Sequence, residues 1–241
     1  MTTLVLGATG ATGRLVVDQL LQQGQKVTAL VRPQSSLSEE LLGNPDLELA
    51  KAEISSMSET EIQTLVAPCD NIICCLGHNL SFKGVYGHPR LLVTQAIKRV
   101  CEAAKLAPGT KERKVVLMNT SGNHNRNLNE PRAFKHKLVM GLLHVLLPPH
   151  RDNVKAAEFL RKEIGPDDDN LQWVIVRPDN LTDAEEVTEY DSFESPIRDA
   201  IFDAGQTSRI NVAHFMTELI SKPELWQQWC GKMPVLYNSQ R

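Results

Sequence analysis

Three glycines, Gly7, Gly10 and Gly13, stand between a short apolar run, TLVL, and a segment, GRLVVDQLL, whose apolar residues recur at helical spacing. A residue without Cβ lets the chain turn sharply from strand to helix and lets backbone amides approach a phosphate closely. The amides at the mouth of a helix also carry partial positive charge. Gly7, Ala8, Thr9, Gly10, Ala11, Thr12 and Gly13 therefore read as a cradle for a diphosphate, with Gly13 allowing the helix to pack on the strand. A ligand seated there as a dinucleotide would bring its adenosine ribose to the end of the next strand, where an acid suits a free 2′-hydroxyl and an arginine suits a 2′-phosphate. That strand reads KVTALVRP, with Arg32 at its end and no Asp or Glu. A planar guanidinium binds phosphate bidentately, and Arg14 adds a second cation, so the spacing predicts NADP(H), with NAD(H) as the alternative.

The elements that must position these residues follow from periodicity. Val-, Ile- and Leu-rich runs at Thr3 to Leu6, Lys26 to Val31, Leu47 to Ala50, Asn71 to Leu76, Lys114 to Asn119 and Trp173 to Arg177 predict six strands. Helical spacing predicts helices over Ala11 to Gln23, with Gly24 as its C-cap, Leu91 to Leu106, Val154 to Ile164, Val212 to Ile220 and Glu224 to Trp229. Strands alternating with amphipathic helices define an α/β protein: a Rossmann-type, doubly wound parallel sheet with helices on both faces. At 241 residues one domain over 1–241 is expected, with 182–241 forming a small C-terminal cap on the substrate side.

Hydrophobic residues at 41% and charged residues at 23% are the balance of a packed globular chain. A formal net charge of −3 supplies no basic field for a nucleic-acid backbone. The stretch LVMGLLHVLLPP, from Leu138, is well short of the roughly 20 residues that span a bilayer, so no membrane partner is expected. Nothing at the N-terminus reads as a signal peptide, and the expected location is cytoplasmic. Cys69, Cys74, Cys75, Cys101 and Cys230 form no CxxC pair and have no His partners at zinc spacing, which predicts reduced, structural thiols. Cys74 and Cys75, adjacent on a strand, should face opposite sides of the sheet. The triplet Asp167, Asp168 and Asp169 follows Gly165 and Pro166 in a turn and reads as a solvated loop, so no metal is expected.

The glycine turn, together with IICCLGHN, VVLMNTSGN, WVIVRPDNLTD and SRINVAHFM, resembles the atypical short-chain dehydrogenase/reductases, in particular their NmrA-like and biliverdin-IXβ reductase/flavin reductase group. The likeness runs over nearly the whole chain and is strongest from Met1 to Arg32, although the turn is spaced GxxGxxG rather than GxGxxG. The resemblance implies that Leu76, Gly77, His78, Thr120 and Ser121 line the nicotinamide end and that Pro178 walls it. The rule that open α/β sheets bind ligands beyond the carboxyl ends of their strands points to the same places.

One feature of that group's larger superfamily is missing. The fourth residues after Tyr86, Tyr190 and Tyr237 are Arg90, Glu194 and Arg241, so no YxxxK acid/base pair exists. In HRDNVKAAEFL, Lys155 keeps the Lys position while Arg151 stands where the Tyr would be. Arginine stays protonated and is a poor proton donor. Two readings fit. In one the protein passes a hydride to a small conjugated acceptor, a flavin or quinone, with Ser121, Lys155 and His124 as the candidate catalytic residues and His78 as a second titratable candidate. In the other it is an NADP(H)-binding sensor without catalysis. Ser121 has no GxSxG elbow and is expected to hydrogen-bond rather than attack. The long segment 123–149 suits a lid, a substrate wall, or a contact for a homodimer or protein partner.

Overall fold

The computed structural model describes residues 1–78, 90–107, 112–128, 130, 147–166 and 168–239. All six predicted strands form: β1 (Thr2–Leu6), β2 (Lys26–Val31), β3 (Leu47–Lys51), β4 (Asn71–Cys74), β5 (Arg113–Met118) and β6 (Leu171–Pro178). They lie parallel in the order β3-β2-β1-β4-β5-β6. The chain thus winds outward from β1 in both directions, and the reversal between β1 and β4 opens a crevice beyond their carboxyl ends. β4 stops at Cys74 rather than at the expected Leu76. Just past it the Cys75–Leu76 backbone crosses Gly7 so closely that a Cβ there would lie 2.8 Å from the Cys75 carbonyl.

Around the sheet lie α1 (Gly13–Gln22), α2 (Glu39–Leu42), α3 (Glu59–Val66), α4 (Leu92–Leu106), α5 (Pro148–Phe159, widening to a π turn over Leu160–Ile164), α6 (Arg209–Ser221) and α7 (Pro223–Trp229). Helix α1 ends as its sequence requires. Gly24 takes φ +70° and bonds the Leu21 carbonyl at 2.9 Å, while the Gln25 amide reaches Leu20 at 3.0 Å. Periodicity missed α3, yet the sequence carried its start signal: the Ser58 hydroxyl accepts from the Glu61 amide and the Glu61 carboxylate accepts from the Ser58 amide. Helix α5 begins at Pro148 rather than Val154, because prolines in a first turn have φ preset and lose no hydrogen bond.

The C-terminal segment contributes strands that periodicity did not announce. β10 (Val235–Asn238) pairs parallel with β6, and β8 (Tyr190–Phe193) pairs antiparallel with β10, completing an eight-stranded sheet. β7 (Asn180–Thr182) and β9 (Gln206–Ser208) make a separate two-stranded ribbon. These strands are three or four residues long and exist through tertiary pairing rather than through a local pattern.

Both faces of the sheet are buried, as a parallel sheet demands. Leu4, Leu6, Ile72, Cys74, Leu117 and Trp173 meet α3, α4 and α5. Val5, Ile73, Val116, Val174 and Val176 meet α1, α6 and α7. Cys74 and Cys75 indeed contribute to opposite faces. Each fully buried aliphatic side chain stabilises the layer by about 1.5–3 kcal/mol, which holds the strand ends that carry the site. Among the described residues no helix is long and apolar enough to cross a membrane. The basic run from Arg132 to Lys137, the apolar stretch after it as far as residue 146, Tyr86 and Asp167 lie outside the described residues.

Candidate functional site

The turn between β1 and α1 requires glycine for three different reasons. Gly7 has φ +76° and sits under the exit of β4. A Cβ on Gly13 would fall 2.1 Å from the Gly7 carbonyl oxygen, so the helix start stacks directly on the turn. Gly10 is exposed and would meet only the Gly7 oxygen, at 3.2 Å, which leaves open backbone on the outer side of the loop. Ala8 is buried beneath it and Thr9 is half-buried.

Among the described residues nothing accepts a hydrogen bond from the amides of Ala11, Thr12 or Gly13. Thr12, at the N-cap, makes no capping bond with its side chain, and the first turn of α1 has no acidic residue. Three amides at the positive end of a helix, beside a residue with no side chain, are what a diphosphate needs.

Arg32 emerges from β2, the neighbour of β1, into solvent, and its carbonyl closes a turn with the Ser35 amide at 2.9 Å. Arg14 is exposed on the first turn of α1. Among the described residues neither guanidinium is paired with a carboxylate.

Leu76, Gly77 and His78 continue β4 beyond its carboxyl end. His78 does not face solvent: its side chain is 6% exposed, and Nε2 lies 2.8 Å from Asp152 Oδ2. Asp152 is fully buried in the first half of α5 and accepts three more bonds, from the amides of Val93 (2.8 Å) and Thr94 (2.9 Å) and from the Thr94 hydroxyl (2.6 Å). A carboxylate from α5 thus caps α4, whose own N-cap residue, Leu91, has no side-chain oxygen to offer. Because a carboxylate only accepts, the imidazole donates from Nε2. Lys155, one turn along α5, is half-buried, and no described residue bonds its ammonium.

Beyond β5, Asn119 donates to the Asn153 carbonyl at 2.9 Å and accepts from the Thr120 amide, tying the strand end to α5. The Ser121 amide bonds the Pro178 carbonyl, and its hydroxyl donates to Asp179 Oδ1 at 2.9 Å. His124 is drawn elsewhere. Its Nδ1 is 2.7 Å from Glu130 Oε2, while Glu130 Oε1 is 2.9 Å from Arg177, which is wholly buried. Arg177 also donates to the carbonyls of Met233, Asn123 and Glu194. Burial pushes its guanidinium pKa down, and Glu130 opposes that.

The parallel strands therefore carry Gly7–Gly13, Leu76–His78, Thr120, Ser121 and Pro178 at their carboxyl ends, with Arg32 following β2 and Lys155 on α5. His124 belongs to an ion-pair cluster around Arg177. Tyr190 and Tyr237 lie on β8 and β10, on the far side of β6. An open depression of about 520 Å³, lined by Thr188, Tyr190, Asp191 and His214 among others, belongs to that distant edge and holds none of the predicted residues. Sequence reasoning missed Asp152, Asp179 and Glu130. Their importance comes from partners remote in the chain: His78 and α4 for Asp152, Ser121 and Gly205 for Asp179, and Arg177 for Glu130.

Comparison with known proteins agrees with this geometry. A family model for NAD(P)H-binding proteins matches residues 7–223, and the chain belongs to that family. Among curated proteins no sequence matches. Solved structures do. The oxidoreductase YlbE from Lactococcus lactis is 18% identical, with all of this chain and 92% of that one covered and a TM-score of 0.70. A short-chain dehydrogenase/reductase from Veillonella parvula, crystallised in complex with NADP, is 14% identical over 98% of this chain and 94% of that one, with a TM-score of 0.67. ChuY, an anaerobillin reductase from Escherichia coli O157:H7, is 16% identical over 100% and 98% of the two chains, with a TM-score of 0.69. At these identities the structures share the Rossmann-type fold.

Proposed function

We propose that this protein is an NADP(H)-dependent oxidoreductase of the atypical short-chain type that reduces a small conjugated acceptor. The observation that carries the reading is the β1–α1 turn, where no described residue bonds the amides of Ala11, Thr12 and Gly13, which follow the open backbone of Gly10. Those amides hold the diphosphate. Arg32, with Arg14 on the first turn of α1 as a second cation, holds the 2′-phosphate, and the absence of any acid at the end of β2 removes the group that would prefer a bare ribose. Lys155 orients the ribose, while Leu76, Gly77, His78, Thr120 and Pro178 form the walls around the ring.

Bound in this way, a reduced nicotinamide supplies a hydride. The chain has no YxxxK pair to protonate a simple ketone, so the acceptor that suits it delocalises the incoming charge and takes its proton from water. The NADP complex of the Veillonella parvula neighbour and the reductase activity named for ChuY support this reading. The test is an NADPH-oxidation assay with FMN and a panel of quinones. Acceptor-dependent oxidation is the expected result. Tight NADPH binding with no acceptor reduced would favour a cofactor-sensing protein instead.

A further inference from the structure

Ser121 and Asp179 are 6% and 8% exposed, and the contact between them gives the serine a definite polarity. Asp179 Oδ1 takes the Ser121 hydroxyl proton at 2.9 Å, and Asp179 Oδ2 takes the Gly205 amide at 2.8 Å. The Asp179 amide in turn donates to Thr207 Oγ1, which donates to the Leu236 carbonyl, so the carboxylate is fixed from both sides. Gly205 donates to Oδ2, and a carboxylate has no proton of its own to give, so on Oδ1 Asp179 accepts and Ser121 donates. A hydroxyl has one proton and two lone pairs. With the proton spent on Asp179, Oγ has only acceptor capacity left, and among the described residues no donor fills it.

We propose that Ser121 accepts a hydrogen bond from the bound ligand and so selects a ligand presenting an N–H at this point of the crevice. Two such groups fit the proposed function, on which this inference rests: the imide N–H of an isoalloxazine-type acceptor and the carboxamide N–H of the nicotinamide. A quinone edge, which carries only carbonyls, finds no donor in Ser121. Asp179 is the positioning residue. In Asp179→Asn the amide oxygen stays with the Gly205 amide and the NH₂ turns to Ser121, which frees the hydroxyl proton and reverses the polarity of the serine.

The test is equilibrium binding, read by fluorescence. Lumiflavin is compared with 3-methyllumiflavin on the NADP⁺-saturated protein, and NADP⁺ with its 3-acetylpyridine analogue on the free protein. These pairs are measured in wild type, Ser121→Ala and Asp179→Asn. Wild type should favour the N–H-bearing member of one pair by about tenfold, the size of one satisfied buried hydrogen bond. The pair that responds identifies acceptor or cofactor as the source of the N–H. The preference should vanish in Ser121→Ala and vanish or invert in Asp179→Asn, where a purely steric effect of the methyl group would persist. Equal affinities within both pairs in wild type, absence of lumiflavin binding with no discrimination between the cofactors, or a preference unchanged in Asp179→Asn would overturn the inference. If NADPH itself fails to bind, the proposed function falls as well; if it binds and acceptors are reduced without such discrimination, only the role of Ser121 does.

Discussion

His78 Nε2 donates to Asp152 Oδ2 across 2.8 Å, and this contact joins the exit of β4 to α5. The same carboxylate holds the first amides of α4, so three segments that approach the crevice are fastened at one buried acid.

Removing that acid should be expensive. Asp152→Ala removes the acceptor of the Val93 and Thr94 amides and of the Thr94 hydroxyl, and unfolding in urea should be easier by about 3 kcal/mol. Asp152→Asn, which keeps one oxygen but turns an NH₂ toward a donor, should lose less. A loss below about 1 kcal/mol for the alanine variant would mean that the cluster is not a fastening point.

The glycines of the turn should separate into structural and binding roles. Gly13→Ala forces a Cβ to 2.1 Å from the Gly7 oxygen, so both thermal stability and NADPH affinity should fall. Gly10→Ala meets only one oxygen at 3.2 Å and should melt within a few degrees of wild type, yet lose at least tenfold in NADPH affinity, because the methyl group occupies the space a diphosphate needs. Wild-type affinity in Gly10→Ala would place the ligand elsewhere.

Cofactor choice should depend on Arg32. Arg32→Asp removes a cation and introduces repulsion toward a 2′-phosphate, so NADPH binding should weaken by about a hundredfold while NADH binding changes little. Equal losses for the two nucleotides, measured by fluorescence titration, would remove Arg32 from the assignment.

Alkaline pH should destabilise the fold through its buried thiols. Burial pushes the Cys74 thiol up to about 12, from an ordinary value of 9.0. A raised folded-state value means that the native protein keeps a proton which the unfolded chain releases above pH 9. The stabilisation is therefore complete below that pH and fades as pH climbs toward 12. Between pH 8 and 10.5, wild type should lose about 2 kcal/mol more than Cys74→Ala, at about 1.4 kcal/mol per pH unit. Identical pH dependence in the two proteins would show that the thiol ionises as easily folded as unfolded.

The six central strands and the first helix were legible because their signals are local. Lys26–Val31 is an apolar run bounded by polar residues, and Gly24 can adopt the φ that ends α1 at that point. The C-terminal strands Tyr190–Phe193 and Val235–Asn238 were not legible, since YDSF and VLYN have no alternation long enough to distinguish them from loop. His78 shows the same limit within the site. Its position after β4 was readable, but its burial against an acid 74 residues away was not.

From the order of its residues alone, this chain determined a doubly wound sheet, a glycine turn at the mouth of the first helix and a cation at the end of the second strand, because backbone geometry, periodicity and charge act over a few neighbours. Only the folded arrangement decided what each polar side chain near the crevice can do. Asp179 spends the proton of Ser121 across 58 residues, and Glu130 draws His124 to Arg177. The capacity of a side chain to donate, accept or carry charge depends on the groups that surround it, and those are set by the packing of distant segments.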